Sequence, residues 1–194
     1  MLLCSCTQKV SSLNEMMTWL NDDANGYCNV REVDQLEYKL KFMPSSYFVL
    51  RELSVDPSLK KKDIDSLAGL YQNSLTFILT IKPKTKEQLD IVTTGVSDKE
   101  EFESKVEKLN FGMKEDLYLL KGDTRIYPDL VSMENDYGVT AGRNFMIVFG
   151  LEDETEKDWI TGDEFSLYYE DMVFKSGVMS FKFCELEAVP QIEI

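Results

Sequence analysis

The 194-residue chain contains no histidine and few cations, with 21 Lys and Arg against 35 Asp and Glu and a formal charge of −14. Without histidine it lacks the usual general base at neutral pH and the commonest metal ligand, so Ser-His-Asp and Cys-His chemistry and histidine-built zinc sites are excluded within it. Carboxylate, lysine or tyrosine mechanisms survive, but they depend on a spatial pairing that sequence does not display. The shortage of cations argues against nucleic acid as a partner, since that binding draws on Lys and Arg contacts to phosphate. The basic run Lys60-Lys61-Lys62 is followed at once by Asp63 and Asp65 and reads as a solvated helix start. No apolar run approaches the ~18 residues of a membrane span. Glycine-rich phosphate loops are lacking too: Gly138 to Gly142 reads Gly-Val-Thr-Ala-Gly before a strand. Arg143, next to it, is expected to be a surface charge.

What is present is a folding composition, 43% hydrophobic and 11% aromatic. That content offsets chain entropy and excludes a disordered protein. At this length we expect one globular α+β domain over residues 9–194, with a more helical half (9–112) and a β-rich half (113–194).

Ser12-x-x-Glu15 has capping-box spacing before Leu13, Met16, Met17 and Leu20, which predicts a short amphipathic helix. Strict alternation of Leu36, Tyr38, Leu40 and Phe42 with charged residues predicts a strand that Pro44 ends. Ser45-Ser46 is positioned to cap a helix through Leu53, and Asp63 a helix to Tyr71 with Ile64, Leu67, Leu70 and Tyr71 inside. Leu75 to Ile81 is a second alternating strand, with Asp90 to Thr94 as a candidate partner strand. Ser97-x-x-Glu100 repeats the capping box ahead of Phe102, Val106 and Leu109. Leu117–Leu120 and Thr124–Tyr127 flank Lys121-Gly122-Asp123 as a hairpin. The apolar run Phe145 to Phe149 predicts a central strand covered on both faces. Phe165–Phe174 and Val178–Leu186 form a last hairpin, with Met179, Phe181 and Phe183 inward. The fold class is therefore α+β, with antiparallel β-sandwich-like sheets and three to four short helices mainly in the N-terminal half.

The N-terminus reads Met1-Leu2-Leu3-Cys4-Ser5-Cys6-Thr7-Gln8, and Leu3-Cys4-Ser5-Cys6 resembles the end of a bacterial lipoprotein signal peptide. The resemblance implies that Cys6 carries the lipid, that residues 1–8 form a tether, and that the protein sits at the outer membrane or in the periplasm, held only by its acyl chains. Only five residues precede Cys6, fewer than a signal needs, so this reading requires residues upstream of Met1; if Met1 is the true start, the protein is cytoplasmic. The pattern of the C-terminal half is similar to the immunoglobulin-like sandwiches of envelope lipoproteins. The function implied is a non-catalytic, lipid-anchored envelope protein that binds another protein, an accessory of secretion or surface assembly. A carbohydrate-binding module or a carboxylate-based hydrolase is the alternative.

The remaining candidates are weaker. Cys28 and Cys184 are placed either as a disulfide, if the chain is exported, or as buried thiols. The acidic stretch from Glu152 to Asp158 has oxygen ligands for calcium but not the EF-hand spacing, and reads as a solvated connection. Carboxylates adjoin aromatics at Tyr168-Tyr169-Glu170-Asp171 and at Glu134, Asp136 and Tyr137, as in carbohydrate sites. No cofactor, metal or catalytic residue is expected.

Overall fold

The computed structural model describes residues 8–85, 90–134, 140–162, 164–184 and 186–193. The strands are β1 (Lys9–Val10), β2 (Cys28–Val33), β3 (Leu36–Met43), β4 (Ser74–Pro83), β5 (Leu117–Lys121), β6 (Thr124–Ile126), β7 (Leu130–Met133), β8 (Arg143–Gly150), β9 (Phe165–Asp171), β10 (Gly177–Phe183) and β11 (Gln191–Ile192). The helices are α1 (Leu13–Leu20), α2 (Ser45–Val55), α3 (Lys61–Tyr71), α4 (Lys99–Glu107) and α5 (Glu156–Ile160). One antiparallel sheet has the order β2-β3-β4-β8-β7 and a second β10-β9-β5-β6, while β1 and β11 pair in parallel. The chain is thus α+β with antiparallel sheets.

The five-stranded sheet joins β2, β3 and β4 of the more helical half to β7 and β8 of the β-rich half, because the apolar β4 and β8 pair from Ser74 opposite Gly150 to Ile81 opposite Arg143. Rings from the two sheets meet in one core. Phe42 of β3 and Phe77 of β4 lie 6.1 and 5.5 Å from Phe183 of β10, and Phe165 of β9 stacks on Phe183 at 5.2 Å. Offset and edge contacts of this kind add to the burial of each ring.

β3 and the β5–β6 hairpin form where the alternation and the Gly122 turn predict them, with Gly122 at φ +60°. β8 lies inside its sheet, but only Phe145, Ile147 and Phe149 are fully buried, whereas Met146 and Val148 on the other face are half-buried. Residues 90–94 are a turn rather than a strand, since the Asp90 carboxylate accepts from Val92 N at 2.9 Å and its carbonyl from Thr93 and Thr94 N. In α3, Ile64 is buried but Leu70 is 70% exposed.

Helix starts also differ from expectation in detail. Ser12 caps α1 as read, yet Glu15 reaches back to Ser11 N at 2.7 Å. The box at α4 is shifted by one residue, with Asp98 accepting from Glu101 N and Glu101 from Ser97 N. Asp63 is the third residue of α3 and accepts from Lys60 N. No serine caps α2; the carboxylate of Glu156, 111 residues on, accepts from Ser45 N at 2.6 Å and Ser45 Oγ at 3.1 Å.

Candidate functional site

Two concavities frame the chemistry of the surface. The larger, about 810 Å³, opens between α4 and the turns at residues 34–36 and 172–176. Glu101, Ser104, Lys105 and Lys108 line it at i, i+3, i+4 and i+7, so α4 and the turn after it present a polar stripe to this cleft.

Beneath the 172–176 turn lies Asp171, buried at the end of β9. It accepts from Tyr38 Oη at 2.7 Å, Tyr169 Oη at 3.1 Å, and the backbone N–H groups of Val173, Phe174 and Ser176 at 3.1, 2.9 and 3.3 Å. Since the Tyr38 proton points to Asp171, the Ser176 hydroxyl, 2.7 Å away, donates to the Tyr38 oxygen. Burial, with the carboxylate beside it, raises both phenols above their ordinary range. Asp171, read from sequence as half of a sugar-site pair, is thus a hub that fixes the turn. Its neighbour Glu170 projects from the other face of β9.

Two of the three lysines that line the cleft are also committed. Lys105 donates to Thr94 O at 2.6 Å and lies 4.7 Å from the Phe174 ring centre, and its burial lowers the affinity of its amine for a proton. Lys108 donates to Gly112 O at 2.9 Å and pairs with Asp116, whose carboxyl burial pushes up while Lys108 pulls it down. Asp98 and Glu101 hold the start of α4. Lys105, Lys108, Asp98, Glu101 and Asp171 are groups a catalytic centre would use, and each has an internal structural partner instead.

The second concavity, about 530 Å³, lies between Tyr127 and Asp129 on one side and the 150–154 segment on the other, and includes Trp159 of α5. Its carboxylates are Asp129, Glu152, Asp153 and Glu154. Asp129 accepts from Gly150 N at 2.6 Å, and Glu154 clasps Lys121 at 2.8 and 2.9 Å. Lys121 Nζ lies 4.4 Å from the centre of the Trp159 ring, a cation–π contact.

The acidic stretch is therefore not a plain solvated connection. Thr155 and Asp158 form a capping box for α5, and Glu156 is only 6% exposed where it caps α2. Burial raises the Glu156 carboxyl to about 7 against the opposing pull of the Ser45 donors. Among the described residues no group of three His, Cys, Asp or Glu is placed to hold a metal ion, and no helix is long and apolar enough to cross a membrane.

Arg143 is a correction: it pairs with Asp90 and donates to Thr140 O and Gly142 O, with a side chain only 10% exposed. Cys28 is half-buried and Cys184 exposed, both as thiols, so the disulfide is not formed and Cys184 is not a buried thiol. The cause is register, since Ser180 and Lys182 of β10 face solvent and Cys184 continues their side. Cys6, Asp136 and Tyr137 lie outside the described residues, as do Gly138 and Val139 of the glycine-flanked turn.

Sequence reasoning missed the Glu156–Ser45 cap and the Lys121–Trp159–Glu154 contact. Both join residues more than thirty positions apart, and the one local signal was the threonine-to-aspartate box at 155–158. Comparison with protein-family models and with curated proteins finds no match. Among solved structures the chain is similar to a novel protein of unknown function from Burkholderia pseudomallei K96243, with 10% identity, a TM-score of 0.40 and 90% of each chain covered.

Proposed function

We propose that this protein is a non-catalytic binding module of the bacterial cell envelope, tethered by a lipid on Cys6 and engaging another protein. The observation that carries the non-catalytic part is that Lys105, Lys108, Asp98 and Glu101 in the larger cleft, and Asp171 beneath its 172–176 turn, are each committed to an internal partner. A reacting group must be able to exchange protons or bonds with a substrate, and these are engaged in holding turns and a helix. The tether rests on the Leu3-Cys4-Ser5-Cys6 resemblance. The two sheets are proposed to face each other as a sandwich, a reading supported by the Phe42, Phe77, Phe165 and Phe183 contacts.

The test is site-specific photo-crosslinking in the envelope, with the crosslinker at Glu100 or Tyr127, two exposed positions beside the two concavities. The expected result is a discrete crosslinked protein that disappears in Cys6→Ser. Absence of any crosslink from either position overturns the reading. A carbohydrate-binding alternative is supported by the stack of Tyr118 on Tyr168, 5.1 Å apart and 3° from parallel, beside exposed Tyr127. Saturation-transfer NMR with soluble oligosaccharides decides it, since signal that Tyr127→Ala abolishes favours sugar and none rejects it.

A further inference from the structure

β2 ends the five-stranded sheet and β10 the four-stranded one, and these two edges run side by side, with no backbone ladder between them among the described residues. The contacts across this seam fix its register. Just before β2, Glu187 N donates to Asn25 O at 3.2 Å and Tyr27 Oη to Glu187 O at 3.1 Å. Further along, Arg31 Nε donates to Ser180 O at 3.1 Å, and its guanidinium lies 5.8 Å from the centre of the Phe181 ring. The edges are therefore antiparallel: Asn25 to Arg31 runs against Glu187 to Phe181, and the two stretches have equal length.

Cys28 is the midpoint of the first stretch and Cys184 of the second. Their sides agree as well. Cys28 stands opposite Lys41 of β3, on the face away from buried Leu40 and Phe42, and Cys184 continues the solvent-facing side of Ser180 and Lys182. The register thus sets two thiols from different sheets opposite each other on the outer surface, one half-buried and one exposed. Side-chain contacts rather than a ladder span the seam, so its edges are free to settle at the ~5.5–6 Å between Cα atoms that a disulfide needs.

We propose that Cys28 and Cys184 are a redox staple, leaving the β2–β10 seam open as thiols and bonding the two sheets along it as a disulfide. The electron acceptor is another disulfide, of a small thiol or of a disulfide-donating protein. Exposed Cys184, as thiolate, attacks one sulfur of the acceptor and forms a mixed disulfide while the other sulfur leaves as a thiol. The Cys28 thiolate then attacks the Cys184 sulfur, and the acceptor's second sulfur leaves. Two cysteine thiols are oxidised, one disulfide is reduced to two thiols, and the two cysteine protons end on the leaving groups. Half burial keeps Cys28 from bulky reagents, while Lys39 and Lys41 beside it oppose the rise that burial imposes on its thiol.

The test treats the full chain, purified reduced, with oxidised glutathione, alkylates it, and digests it with trypsin without reduction. Cleavage after Lys9, Arg31 and Lys182 puts Cys28 in peptide 10–31, Cys184 in 183–194, and Cys4 and Cys6 together in 1–9, so every pairing has its own mass. In the folded protein 10–31 joined to 183–194 is expected to exceed any link to 1–9 about tenfold, a preference that urea abolishes. The bond closes a loop of about 150 residues, so the oxidised protein is expected to melt about 10 °C above the reduced one. Dithiothreitol should reverse that gain, and Cys184→Ser, a change at an exposed position, should lack it while melting as the reduced wild type does. Glutathione left singly on Cys28 or Cys184, links to 1–9 as frequent in the folded as in the unfolded chain, or a joined product that melts no higher would each overturn the staple. None of these outcomes depends on a lipid at Cys6 or on a protein partner.

Discussion

Replacing Glu156 by Gln keeps the side-chain shape and an oxygen able to accept from Ser45 N, but removes the ionisable proton. In the wild type that proton is held to about pH 7 by burial, against an ordinary value of 4.5. The folded state thus keeps the proton over a range in which the unfolded chain has lost it, and stability must fall as pH rises through that window. The difference of about 2.5 units corresponds to about 3 kcal/mol, fully present below pH 4.5 and lost above pH 7. No histidine titrates in this interval, since the chain has none. The assay is urea denaturation at pH 4.5, 6, 7 and 8, with the linear extrapolation applied to both proteins. Glu156→Gln should match the wild type at pH 4.5 and exceed it by about 3 kcal/mol at pH 8. Parallel curves would show that Glu156 keeps an ordinary carboxyl in the fold, and a wild type that gains on the variant with pH would show the cap to be a stabilising carboxylate; either refutes the reasoning.

Asp171→Asn replaces one of the two carboxylate oxygens that between them accept from Tyr38, Tyr169 and three backbone N–H groups, and should cost about 2–4 kcal/mol by the same denaturation assay while loosening hydrogen-exchange protection in 172–176 first. Gly142→Ala places a Cβ 2.7 Å from Lys82 Cβ and 2.8 Å from Ile81 O, in a neighbouring strand that cannot yield, so a loss of about 1–3 kcal/mol and a lower Tm are expected. Phe42→Ala empties the point where rings of both sheets meet, and a loss of about 3–5 kcal/mol is expected; a cost under about 1 kcal/mol would contradict the shared core.

Period-two alternation made β3, β4, β9 and β10 legible, because each has one face against the core, so that Met179, Phe181 and Phe183 are buried while Ser180 and Lys182 are not. What stayed hidden was which strands pair. β8 lies against β4, some seventy residues earlier, and no periodicity within either strand encodes that choice. β2 was invisible because it is an edge strand with little buried surface, so its residues do not alternate. The misreadings of Asp90, Glu156 and Asp171 share one cause. A carboxylate in sequence looks the same whether it caps a turn, caps a distant helix or awaits a ligand, and only its donors distinguish the three.

The proposed lipid anchor on Cys6 is the part of the account on which place in the cell, tether and partner all depend. Its most direct measurement is metabolic labelling with a radioactive or clickable fatty acid, in a bacterium expressing the gene with the codons upstream of Met1. Labelled wild-type protein and unlabelled Cys6→Ser are predicted. A wild type without label, or a Cys6→Ser variant that keeps it, would contradict the account.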